Sequence, residues 1–312
     1  MIKANLNHNY AFDPQRVYDF SEHMHKLTGI SLYYGYTPTD GVDKVHDTNL
    51  KVCFIVEYPN SFYITRDDVG LNIHKNNDNY DLVFSICPYT CKLLNEKFNT
   101  NKYKPIFFPL MPYKYDEVER IYPVFYSGHI FSNVPIIHAI DTVINNYLGF
   151  STYSGLKSLI AEPSINSYYR KLNIYSRTKI CIAHNVLYKP SIPEIDHYLT
   201  DELYNKHLPW QTNSDIYTPQ IKSRVFEGAM MGCILLVYRD NYNLIETYFT
   251  ENEDFIYFTD QSDLESKIDL ILRNYDDYKY LAKNAQTKFY NNYTLEHFVD
   301  IIKAECDSIR FT

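Results

Sequence analysis

Between Thr218 and Glu246, in TPQIKSRVFEGAMMGCILLVYRDNYNLIE, a short helical pattern, a glycine and an uninterrupted apolar run follow one another. The apolar run, Cys233–Val237 (CILLV), is the strongest constraint on the fold. A strand without polar alternation needs both faces covered, as in a parallel sheet flanked by helices. Ser223 is the expected helix N-cap, Arg224–Met231 the helix, and Gly232 the residue past its end. Pro219 disfavours an earlier helix start. Helix, glycine and buried strand together make a unit of an α/β fold.

The polar residues of this stretch are grouped. Lys222 and Arg224 flank the helix start, where free N–H groups already favour an anion. Glu227 lies one turn further in. Two cations at a helix N-terminus suit a diphosphate, and a nearby carboxylate suits a pair of ribose hydroxyls.

KSRVFEGAMMGCILL resembles the nucleotide-sugar signature of GT-B glycosyltransferases, in the glycosyl transferase group 1 and CgeB-like set. A weaker likeness runs from about Val124 to Val299 and includes a closing pattern of a short strand and paired helices. The resemblance implies that Glu227 binds the donor ribose while Lys222 and Arg224 face the diphosphate. Retaining members often carry a second glutamate eight residues before the ribose glutamate. Here that position is Pro219, so the resemblance leaves the stereochemical outcome open.

Elsewhere, strands and helices alternate. ISLYYG (30–35), KVCFIVE (51–57), DLVFSI (81–86) and KPIFFPLM (104–111) read as N-terminal strands, with a helix opening at Pro88. RVYDFSEHMHKL (16–27) reads as a further helix, on which His23 and His25 do not share a face. The proline-flanked PYKYDEVERIY (112–122) marks the domain boundary. PVFYSGH (123–129) then opens a second sheet, with Gly128 and His129 in its first β–α turn. A helix is expected over 138–148 and a strand over 179–185. Residues 186–217, with Trp210, read as a long loop, and 261–286 and 294–308 as amphipathic helices.

The 312 residues suffice for two domains, and the net charge of −8 argues against a polyanionic partner such as DNA. No run approaches the roughly 20 apolar residues of a membrane span, and no secretory signal is visible at the N-terminus. The six cysteines lack a second metal-binding pair and fit a reducing, cytoplasmic setting. No Asp-x-Asp occurs, which removes the usual metal-diphosphate ligand of GT-A enzymes. Neither a P-loop, a GxGxxG fingerprint nor a G-x-S-x-G elbow is present.

The expectation is an α/β, GT-B fold: two Rossmann-like domains with parallel sheets facing a central cleft. Residues 1–120 form the acceptor domain and 121–312 the donor domain, the last helix packing back on the first. The expected activity is metal-independent transfer of a sugar from a nucleotide sugar, such as a UDP- or GDP-sugar, to a hydroxyl of a glycan or glycoconjugate. No cofactor is required. Donor-binding candidates are Gly128, His129, Lys222, Arg224, Glu227, Asn241 and Tyr242, with Arg224 also stabilising the leaving diphosphate. If configuration inverts, the acceptor needs a base. Glu57, ending the clearest N-terminal strand, is the first candidate and Asp40 the second. Alternatives are a DNA-modifying sugar transferase of the same fold, a non-catalytic nucleotide-sugar-binding protein, and a nucleotide-sugar epimerase.

Overall fold

The computed structural model describes residues 31–35, 50–55, 80–110, 112–113, 115, 118–128, 135–147, 150–151, 165–188 and 217–310. Two compact contact units emerge. The first comprises 1–108, 187–220 and 296–312, and the second 109–186 and 221–295.

In the first unit, β1 (Ser31–Gly35), β2 (Lys51–Ile55), β3 (Leu82–Ser85) and β4 (Tyr103–Pro105) form a parallel sheet in sequence order. Helix α1 (Pro88–Phe98) joins β3 to β4. It ends at Asn99, in the left-handed region at φ 47°. Asn95 then fixes the return into β4: its Nδ2 donates to the Tyr103 carbonyl at 2.8 Å and its Oδ1 accepts from the Tyr103 N–H at 3.0 Å. The strand expected over 104–111 is shorter than its apolar length suggested. Ile106, Phe107 and Phe108 are buried but lie outside the strand. They pack as core instead: the ring of Phe298 meets those of Phe54 and Phe107 edge-on, at 5.0 and 5.9 Å.

The second unit is a five-stranded parallel sheet. Its strands are β5 (Tyr122–Tyr126), β6 (Phe150–Ser151), β7 (Thr178–Ala183), β10 (Ile234–Tyr238) and β11 (Phe255–Phe258). A separate two-stranded sheet pairs β8 (Val186–Tyr188) with β9 (Tyr217–Pro219). Helices α2 (Pro135–Asn146), α3 (Ile165–Ser176), α4 (Ser223–Met230), α5 (Gln261–Arg273) and α6 (Tyr275–Asn292) lie between or after the large sheet's strands, and α7 (Leu295–Arg310) closes the chain. Helix α2 starts at Pro135, three residues before the expected His138, because proline is well suited to a first turn. The apolar run becomes β10, whose Ile234–Val237 are fully buried between β7 and β11. Helix α4 lies close against this sheet. A Cβ at Gly228 would meet Leu235 Cδ2 at 2.8 Å and Cys181 Sγ at 2.9 Å, so only glycine permits the approach.

The chain leaves the first unit after Phe108, earlier than the boundary expected at 120/121. The cause is local. Tyr115 donates to the Met231 carbonyl at 2.9 Å, and Arg120 binds the same carbonyl at 2.8 Å. The charged, proline-flanked segment is therefore tied into the second unit. Among the described residues no helix is long and apolar enough to cross a membrane.

Candidate functional site

The order of the second sheet is β11-β10-β7-β5-β6. The chain starts at β5, moves outward to β6, then returns to the other side of β5 as β7. The sheet order therefore reverses between β5 and β7. In open α/β sheets, ligands bind beyond the carboxyl ends of the strands at such a reversal. Here β5 ends in Tyr126-Ser127-Gly128 and β7 in Ala183-His184-Asn185. Phe125 pairs with Cys181, which sets the two ends nearly level.

Tyr126 and His184 share a hydrogen bond, Oη to Nε2, of 2.9 Å, with their rings stacked at 5.9 Å. Both side chains are buried. Burial holds the imidazole pKa well below its ordinary value, and the Arg224 and Lys222 charges push it further down. His184 is thus neutral at physiological pH. The Tyr126 hydroxyl is pushed up by burial and held partly in check by Arg224. The Arg224 guanidinium carbon lies 4.5 Å from the Tyr126 ring centre.

Helix α4 begins one residue earlier than expected. Lys222 is the N-cap, with extended backbone (φ −109°, ψ 140°), and Ser223 is already helical. Lys222 offers no side-chain cap; its own N–H donates to Asn185 Oδ1 at 3.0 Å, and its carbonyl accepts from the Val225 N–H. A residue from the end of β7 thus fixes the helix start, so serine need not cap it. The helix closes through Met231, followed by Gly232 at φ +67°.

Glu227 is 1% exposed. Its Oε1 lies 2.7 Å from Lys171 Nζ, on α3. The simple expectation for a carboxylate three residues from Arg224 is an ion pair on one helix face; the partner is instead a lysine 56 positions upstream. Arg224 is turned toward Tyr126. Among the described residues, Glu227 Oε2, Arg224 Nη1 and Asn185 Nδ2 are buried without a hydrogen-bond partner. Such groups are costly unless something satisfies them.

Gly128 occupies a tight position. A Cβ there would stand 2.7 Å from Arg224 Nη2 and 2.8 Å from Tyr126 Oη. The absent side chain makes room for the guanidinium. Gly128, Lys222, Arg224 and Glu227 are therefore grouped around the ends of β5 and β7. Asn241 and Tyr242 follow β10, the next strand along the same sheet edge. Asp240 shapes their turn, accepting from the N–H groups of Tyr242 at 2.7 Å and Asn243 at 2.9 Å. Burial pushes the Asp240 carboxyl up to about 6, against the lowering effect of these two bonds. Glu57, Asp40 and His129 lie outside the described residues, as do the 16–27 helix and Trp210.

The sequence singled out neither Tyr126, His184, Asn185 nor Lys171. A signal existed for His184 and Asn185: two polar residues directly after a buried strand. Lys171 offers none, since its helix is ordinary in composition.

Residues 165–304 match a family profile described as Glycosyl transferase-like. The chain has the GT-B fold, and this segment is similar to a glycosyl transferase-like family. The match is to the broad family. Anabaena HepE, solved with UDP-glucose, superposes with a TM-score of 0.55 at 8% identity, over 93% of this chain and 81% of that one. Sucrose-phosphate synthase from Thermosynechococcus elongatus gives 0.54 at 12%, over 99% and 82%. S. aureus TarM gives 0.52 at 10%, over 90% of this chain but only 56% of TarM, so the chain spans little more than half of that protein. No curated protein matches the sequence.

Proposed function

We propose that this GT-B protein transfers a sugar from a nucleoside diphosphate sugar to a hydroxyl of a glycan or glycoconjugate. The observation that carries the reading is a pair of buried atoms on α4: an unpartnered donor, Arg224 Nη1, and an unpartnered acceptor, Glu227 Oε2. They stand one turn apart on a helix that starts where the sheet order reverses. A diphosphate supplies acceptors for the first and a ribose supplies a hydroxyl for the second. Lys222 and the α4 N-terminus add positive potential on the diphosphate side. HepE, of the same fold, is solved with UDP and with UDP-glucose, which makes UDP-sugars the first donors to try.

The chemistry follows from charge. As the glycosidic bond breaks, the leaving diphosphate gains negative charge. A fixed guanidinium and oriented N–H groups stabilise that charge more in the transition state than in the ground state. This requires no metal ion, and we expect turnover to survive chelation. In an inverting reaction Glu57 or Asp40 takes the acceptor proton.

The test is a panel of UDP- and GDP-sugars, with nucleoside diphosphate release measured with and without glycan acceptors, in excess EDTA. Release from at least one donor, persisting in EDTA, is the expected result. Absence of both binding and release across the panel overturns the glycosyl-transfer reading. Activity abolished by EDTA and restored by Mg²⁺ or Mn²⁺ overturns the metal-free mechanism alone.

A further inference from the structure

We propose that Lys171 is a positioning residue for the donor site, holding the Glu227 carboxylate turned so that one oxygen is kept for a ribose hydroxyl. The inference rests on the nucleotide reading of α4 given above.

Glu227 is buried, and a carboxylate in such a place is costly without a partner. Lys171 Nζ, 2.7 Å from Oε1, supplies the missing countercharge. It is an asymmetric arrangement: one carboxylate oxygen carries the ion pair, while Oε2 has no partner among the described residues. The lysine thereby fixes the orientation.

The pair also joins two elements. Lys171 sits on α3 and Glu227 on α4, and one turn along α3 the fully buried Tyr175 occupies the space nearby. The Tyr175 hydroxyl and Cys181 thiol both feel the Glu227 charge and, in the opposite sense, that of Arg224. Arg224 is engaged with the Tyr126 ring. A ligand hydroxyl reaching Oε2 completes a site that the protein leaves half-satisfied.

The experiment compares UDP with 2′-deoxy-UDP by calorimetry, in the wild type, Lys171→Met and Lys171→Arg. Wild type is expected to prefer UDP by about tenfold, the worth of one charge-assisted hydrogen bond. Lys171→Met is expected to bind both nucleotides alike, at the level of wild type with 2′-deoxy-UDP. Lys171→Arg, which keeps the charge, is expected to retain the preference. A folded Met variant that still prefers UDP as strongly as wild type overturns the proposal and spares the ribose reading. Equal loss of affinity for both nucleotides shows a merely structural role and likewise overturns it. Lack of preference in the wild type overturns the ribose role of Glu227 and this proposal with it. If the Met variant fails to fold, Lys171→Gln is judged by the same comparison.

Discussion

The guanidinium of Arg224 lies 4.5 Å from the ring centre of Tyr126, placing the last aromatic residue of β5 against a cation on the first turn of α4. Tyr126 in turn is bonded to the neutral, buried His184. The ring orients the arginine without neutralising it, since an aromatic face attracts the cation yet carries no net charge. An ion pair would have consumed the charge that a diphosphate needs.

Arg224→Lys keeps the charge but loses the planar, two-pronged contact with phosphate oxygens. We expect kcat to fall more than KM rises, with little change in melting temperature. Steady-state kinetics and thermal melting on one preparation check this. A destabilised protein with near-normal kcat would show that the arginine serves only to hold the helix.

Gly128→Ala is expected to act through the same arginine. The new methyl would sit 2.7 Å from Arg224 Nη2 and 2.8 Å from Tyr126 Oη, so one of them must shift. Loss of nucleoside diphosphate affinity should resemble that of an Arg224 substitution, and the double variant should show less than additive loss. Calorimetry on the two single variants and the double variant measures the coupling.

Glu227→Ala should weaken nucleoside diphosphate binding by about 1.5–3 kcal/mol, the usual cost of losing a hydrogen bond to a charged group. Circular dichroism confirms folding, and calorimetry reads the affinity. Unchanged affinity in a folded variant would mean that the carboxylate serves only its lysine.

The pH dependence of stability contains two opposed contributions. His184 has a depressed pKa in the folded state. As pH falls below about 6.5 the unfolded chain binds a proton that the folded chain refuses, and stability is lost. Asp240 has a raised pKa, about 6 against 3.8. Its contribution is fully present below about pH 4 and lost as pH rises through 6. Asp240→Asn keeps an oxygen for the Tyr242 and Asn243 N–H groups but cannot ionise. It should therefore be more stable than wild type at pH 8, by up to about 3 kcal/mol, with the difference fading by pH 4. Denaturant unfolding at the two pH values checks the sign.

Much of the fold was written in local pattern. The CILLV run became a central strand because no polar residue interrupts it, and the signature placed Lys222, Arg224 and Glu227 on one helix start. What pattern could not carry was pairing across the chain. Nothing near Glu227 points to Lys171, because ion-pair partners are set by how α3 packs on α4. The N-cap moved to Lys222 for a similar reason: Asn185, 37 residues away, satisfies the backbone there. The strand expected at 104–111 stopped early because apolar content reports burial, and Ile106–Phe108 achieve burial without pairing.

Arg120 precedes β5 and sits at the amino ends of the strands, on the far side of the sheet from Gly128. Its guanidinium donates to the Tyr175 carbonyl near the end of α3 and to the Met231 carbonyl at the end of α4. Those two helices carry Lys171 and Glu227. One side chain thus pins the tails of both, like the rivet of a pair of tongs whose jaws are the lysine and the carboxylate. A change at Arg120 that leaves the protein folded would let the jaws drift, and its phenotype would be that of a damaged donor site far from the damage.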